Sequence, residues 1–187
     1  MYHPPDYIDN TSDDRQLLNT LWHLLTEWDA DYLDIASGFF EPRVWGMLAD
    51  ALRPLPSFRL LLGRPPELEN PDAGDGAVDL QQFYRNRLRQ DLEQLPLTRD
   101  YALMVDDLCG WLQQEHVQVR TYNGAFLHAK AYLMPHAAIV GSSNFTPSGM
   151  TRHAELNLVQ KTDAVVADIR ENWYEAMWAD ASDHKVD

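Results

Sequence analysis

Residues 58–63, FRLLLG, constrain this chain most. A near-continuous apolar run of that length reads as a strand covered on both faces, which requires a sheet with helices on either side. The residues before it agree. YLDIASGFF (32–40) reads as a short strand ending at Gly38, and Glu41 to Leu52 as a helix entered at Pro42, a residue tolerated in a first turn. Pro54 and Pro56 then break the chain before the apolar run. Strand, helix, strand is a βαβ unit, and it predicts a parallel pair.

Further elements extend the α/β pattern. Leu17, Leu18, Leu21, Leu24, Leu25 and Trp28 recur at helical spacing behind the cap candidates Thr11 and Ser12. Residues 64–79 carry three prolines, two glycines and five carboxylates, and predict a long acidic loop. Helices are expected over 80–94 and 100–115. VQVRTY and AFLHAKAYL flank Asn123-Gly124, a strong hairpin signal. AAIVG and AELNLVQK read as two more strands. A final helix follows, with Val165, Val166, Ile169, Trp173 and Met177 turned inward. The expectation is one domain over 1–187, with a mixed, mostly parallel sheet flanked by helices on both faces.

Composition limits the function classes. The chain has 187 residues, 45% of them hydrophobic, enough to bury a core. It has no apolar run of membrane-spanning length and no basic-then-apolar leader, so a cytoplasmic location is expected. Cys109 is the single cysteine, read as a small core residue. The six tryptophans, at 22, 28, 45, 111, 173 and 178, fall mostly on helical apolar positions and are expected in the core. The 29 acidic and 15 basic residues give a net charge of −14, which opposes nonspecific binding of nucleic acid or anionic lipid. Arg85, Arg87, Arg89 and Arg99 form a local basic cluster within that acidic whole.

The polar residues that need explaining lie in FLHAKAYLMPHAAIVGSSNF, followed by AELNLVQK. Alternation along a strand puts His128, Lys130 and Tyr132 on one face, against Leu127, Ala129, Ala131 and Leu133. Glu155 and Asn157 share a strand face in the same way. That set suits phosphodiester chemistry. A neutral imidazole attacks phosphorus, and a carboxylate fixes its tautomer. Lysine and an Asn amide hold the non-bridging oxygens, whose charge builds in the transition state. Backbone N–H groups and hydroxyls around Gly141-Ser142-Ser143 add to the cradle. No metal or cofactor is called for. A zinc site built from His128, His136 and His153 fits no metal-motif spacing.

The order His128-x-Lys130, Gly141-Ser-Ser-Asn144 and then Glu155 resembles the phospholipase D superfamily, most sharply over 122–160. The resemblance implies His128 as nucleophile, Lys130 and Asn144 as phosphate ligands, and Glu155 orienting the histidine. It further implies Ser142 as a phosphate-binding residue, with Ser143 and Gly141 in the same cradle. Ser37 and Gly38 then stand at the strand edge that lines the site in this fold. The superfamily motif carries an aspartate five residues after the lysine; here that position is Pro135. Superfamily sites use two such motifs, and this chain has one, which implies a homodimer.

Small single-motif members are mostly nucleases, and similar domains precede SNF2-type helicases and occur in restriction or phage-defence proteins. The expected function is therefore a metal-independent nuclease domain, acting on DNA rather than RNA, alone or within a larger helicase or defence polypeptide. The alternative is a weak or inactive module for dimerisation or phosphate binding. A lipid phosphodiesterase has no membrane-binding stretch to support it.

Overall fold

A computed structural model describes residues 2–63, 99–122, 124 and 127–183. The expected loop over 64–79, the helix over 80–94 and the arginines 85, 87 and 89 lie outside the described residues. The elements run β1 (Tyr7–Ile8), α1 (Leu17–Glu27), β2 (Tyr32–Ser37), α2 (Trp45–Leu52) and β3 (Ser57–Leu62). After α3 (Arg99–Leu112) come β4 (Val117–Tyr122), β5 (Lys130–Met134), β6 (Ala137–Gly141), α4 (Pro147–Thr151) and β7 (Asn157–Gln160). The chain closes through α5 (Asp163–Asp168), a π turn (Ile169–Tyr174), α6 (Glu175–Ala179) and β8 (Ala181–Asp183).

The strands form one eight-stranded sheet in the order β1-β7-β6-β5-β2-β3-β4-β8. The βαβ unit is present: β2 and β3 run parallel, with Leu33 opposite Phe58 and Ile35 opposite Leu60. β4 extends the parallel set. The sheet is mixed, but parallel pairing does not dominate. The β2–β5, β5–β6, β6–β7, β1–β7 and β4–β8 pairs are all antiparallel. The two-residue link between β5 and β6 fits an antiparallel pair and is too short for a crossover.

The expected hairpin at Asn123-Gly124 does not form. β4 pairs with β3 and β8, whereas β5 pairs with β2 and β6. The chain therefore crosses over two strands at this point. The turn chemistry was right for a hairpin, but burial of the apolar β5 between β2 and β6 outweighs it.

Helices pack on both faces. On one, Leu21 and Leu24 of α1, Trp45 and Leu48 of α2 and Leu108 and Trp111 of α3 pack over Ile35, Phe58, Leu60, Tyr132 and Ile139. On the other, Val166, Tyr174 and Trp178 pack over Ala36, Leu61, Ala131, Leu133 and Ala138. Val166 is buried and Ile169, Trp173 and Met177 pack partly buried against the same cluster, as expected, whereas Val165 is exposed. The π turn widens the helix and changes its phase, which brings Tyr174 and Trp178 onto the sheet. Trp22 and Cys109 are likewise exposed rather than buried. Among the described residues, no helix is long and apolar enough to cross a membrane.

Candidate active site

The sequence-selected residues gather at one edge of the sheet. The ends of β2, β6 and β1 and the starts of β5 and β7 all meet there, as the register of Lys130 with Gly141 and of Gly141 with Asn157 requires. Ligands in α/β sheets bind outside strand ends of this kind.

Lys130 opens β5 on the same face as Tyr132 and is only 4% exposed. Its Nζ donates to the His128 carbonyl at 2.7 Å. Burial lowers its pKa, and the nearby Glu155 carboxylate acts in the opposite direction. His128 itself precedes the strand and is exposed, so the alternation expected over 128–132 begins only at Lys130. Gly38 lies beneath the polar heads. A Cβ built there would stand 3.4 Å from Asn144 Oδ1 and 3.9 Å from Lys130 Nζ. The ammonium and the amide therefore converge over one glycine.

Ser37 ties this edge to the GSSN loop. Its hydroxyl accepts the Phe145 N–H at 3.0 Å and donates to the Phe39 carbonyl at 2.6 Å, with Asn144 Oδ1 3.4 Å away. Ser143 is held from the other side: its N–H donates to Asn157 Oδ1 at 3.1 Å, and Asn157 Nδ2 donates to its hydroxyl at 2.8 Å. Tyr132 donates to the Ser143 carbonyl at 2.9 Å. Ser37 and Ser143 are fully buried, with their hydroxyls taken by protein groups. Both therefore position the loop.

Ser142 is exposed, and its hydroxyl donates to Glu155 Oε2. Glu155 also lies 3.8 Å from His153 Nδ1, and its charge reaches both Lys130 and Tyr132. Burial first, and Glu155 second, push the Tyr132 phenol well above its ordinary pKa. Gly141 is required where it stands, because a Cβ would come within 2.3 Å of the Leu156 carbonyl. The edge thus brings together a buried ammonium, an amide, an exposed hydroxyl and a carboxylate, with the backbone of His128 on the ammonium and the His153 ring near the carboxylate. Asn157 is the positioning residue whose role sequence reading missed. Its signal was a lone amide at an inward position of an otherwise apolar strand.

Residues 101–178 match the family described as cardiolipin synthase, PLD-like domain. The fold is similar to that of NucT from Helicobacter pylori, at 13% identity and TM-score 0.56, over 95% of this chain and 97% of that one. It is also similar to Nuc from Salmonella typhimurium, described as a phospholipase D family member. There the identity is 14% and the TM-score 0.53, over 89% of each chain. The chain shares the fold of these proteins, and its second half matches the PLD-like family. TrmBL2, an archaeal chromatin protein with a described mode of DNA binding, shares the fold more loosely. It is 12% identical with TM-score 0.51, over 95% of this chain and 53% of that one. Comparison with curated proteins returns no match. His128, Lys130, Asn144 and Glu155, the residues that carry the resemblance, lie at this strand edge. Pro135, where the motif's aspartate stands, lies at the far end of β5, in the turn to β6.

Proposed function

We propose that this chain is a metal-independent phosphodiesterase acting on nucleic acid, with its site completed by a second copy. The observation that carries this reading is Lys130. A nine-tenths buried ammonium is costly unless something repays it, and here it converges with the Asn144 amide over Gly38. A phosphodiester repays both groups. In the proposed reaction a neutral His128 nitrogen attacks phosphorus, forming a P–N bond as the P–O bond to the leaving group breaks. Lys130, Asn144 and Ser142 take up the charge on the non-bridging oxygens. The leaving alkoxide takes a proton from His128 of the second protomer. Water then attacks the phosphohistidine and gives its proton back to that imidazole, and the P–N bond breaks. Two such imidazoles titrate as a pair, one neutral and one charged. Glu155 fixes the orientation of the attacking ring. Gly38 and Gly141 let the backbone come close to the phosphate.

DNA is the favoured substrate, supported by the DNA-binding TrmBL2 fold and by the arginine cluster at 85–99. The acidic remainder fits a single domain brought to DNA by a helicase or defence partner, or as part of a longer polypeptide. Pro135 supports a second reading, in which the module binds phosphate and dimerises without turnover.

The test incubates the protein with single- and double-stranded DNA, RNA, phospholipid vesicles and bis(p-nitrophenyl) phosphate, with and without EDTA. Cleavage of nucleic acid that survives EDTA and falls at least about 10³-fold in His128→Asn is the expected result. Cleavage that requires a divalent metal removes the mechanism, and lipid turnover alone removes the substrate class. Phosphate binding without turnover favours the second reading.

A further inference from the structure

The second face of the sheet is not covered throughout. Val166, Tyr174 and Trp178 close it over β2, β3, β5 and the start of β6. At the β6-β7-β1 corner the same face continues bare. Val140 and Tyr7 are both cross-strand partners of Leu158, and Leu156 lies two residues along from Leu158. These side chains are 39%, 37%, 63% and 60% exposed in the order Val140, Tyr7, Leu158, Leu156. The alternate residues Ile8, Ile139, Asn157 and Val159 are buried on the opposite face. An antiparallel strand with one solvated side carries polar residues there. Here Leu158 of β7 stands there, with Leu156 just before the strand.

We infer that this corner is where a second copy of the chain packs. The inference rests on the proposed reading, in which one His128 per chain leaves the site incomplete. Three observations select that occupant. First, the chain carries −14 net charge, so copies repel through most of their surface, and an uncharged patch is where they meet without that cost. Second, the rim is of mixed sign: Lys161 pairs with Asp6 at 2.7 Å, and Arg15 lies 3.7 Å from Asp9 and over the Tyr7 ring. A two-fold axis through the patch can set acid against base across the rim. Third, an apolar patch of this kind covers on the order of a few hundred Å². A standard interface buries roughly 800 Å² per partner. The patch supplies the apolar centre and the charged rim the remainder.

The corner also adjoins the site. Leu156 stands between Glu155 and Asn157. Its N–H donates to the Ser142 hydroxyl at 3.0 Å, and its carbonyl accepts the Ser142 N–H at 3.2 Å. A copy seated on the Leu156 side chain therefore abuts the loop proposed to hold phosphate.

Sedimentation equilibrium of the full chain at micromolar concentration tests this. Wild type is expected to be dimeric, and Leu158→Arg to weaken the dimer at least about 100-fold, with a urea midpoint that no longer rises with protein concentration as that of wild type does. If the arginine variant does not fold, Leu158→Cys in a Cys109→Ser background replaces it, and a short bis-maleimide is expected to link two copies. A monomeric wild type overturns the inference, as does a dimer that persists in Leu158→Arg or a cysteine variant that does not cross-link. Cleavage is read separately. A wild-type dimer that dissolves in Leu158→Arg but cuts no phosphodiester supports the surface and removes the enzymatic reading; a cleaving wild-type monomer keeps the phosphodiesterase but removes both the surface and the shared site.

Discussion

β2 carries two polar residues three apart, and each belongs to a different kind of charged cluster. Asp34 points to the face covered by the last helical segment and is fully buried. Arg59 grips it through two nitrogens, at 2.6 and 2.5 Å, and Arg170 Nε donates to it at 2.7 Å. Glu175 closes the group by accepting from Arg59 at 2.6 and 3.1 Å. The Arg59 guanidinium also stacks on Tyr174 and Trp178. Burial alone lowers its pKa, but the bonds to Asp34 and Glu175 outweigh this and raise it. Ser37 ends the same strand at the other cluster. There Lys130 is buried with one of its three donors on a backbone carbonyl among the described residues. One group of charges is complete within the protein, and the other is the one we propose a phosphodiester completes. Burial alone does not separate structural from chemical charge; closure does.

Breaking the closed cluster has the larger effect on folding. Asp34→Ala leaves two guanidiniums facing a vacated acceptor and is expected to cost about 3–5 kcal/mol, read as a fall in the urea midpoint. Lys130→Met tests the opposite case. Phosphodiester cleavage is expected to fall about 10²–10³-fold, while stability holds or rises because a poorly compensated ammonium has gone. The pH dependence gives a second reading. Burial depresses the Lys130 pKa in the folded state, so folding disfavours its proton, and wild-type stability gains as pH rises toward the ordinary lysine value of 10.5. Lys130→Met lacks that gain. A Lys130→Met protein that is markedly destabilised would place Lys130 in the structural class.

Asn157 sits between the two kinds. It is fully buried and fully used, yet what it holds is the loop that carries Ser142 and Asn144. Asn157→Leu leaves the Ser143 N–H and hydroxyl without partners, at about 1–3 kcal/mol. Activity is expected to fall further than the folded fraction does, which a kcat measurement at fully folding temperature separates from simple unfolding.

Much of this division was legible in the sequence. The apolar FRLLLG run and the preceding helix gave the parallel β2–β3 pair, because both signals are local. His128, Lys130, Asn144 and Glu155 stood out because spacing along the chain survives folding into one strand edge. The place of β4 was not legible. Asn-Gly marks a tight turn, but which strand neighbours which is decided by burial over the whole sheet. The ion-pair cluster was equally hidden: Asp34, Arg59, Arg170 and Glu175 lie up to 141 positions apart, and nothing local pairs them. The exposure of Leu156 and Leu158 was hidden as well, since only the placed helices show that side of the sheet bare.

Glu175 offers the smallest and most selective probe of the closed cluster. Its carboxyl is held below the usual carboxylate range, first by the hydrogen bond from Arg59 and against a smaller effect of burial. The folded state therefore releases this proton more readily than the unfolded chain. Its stabilising contribution is complete above the unfolded value of 4.5 and is lost as pH falls through the lower folded value. Because Glu175 is partly exposed, solvent screens the pair, and Glu175→Gln at neutral pH is expected to cost no more than about 1 kcal/mol. The acid limb should show the change more clearly. In wild type the urea midpoint drops on acidification below 4.5, with Trp178 fluorescence reporting release of α6; in Glu175→Gln that part of the slope flattens. Since Asp34 still grips Arg59 in the variant, the rest of the cluster stays closed. A Glu175→Gln protein with an unchanged acid limb would mean that Asp34 alone closes the network and that Glu175 only lies beside it.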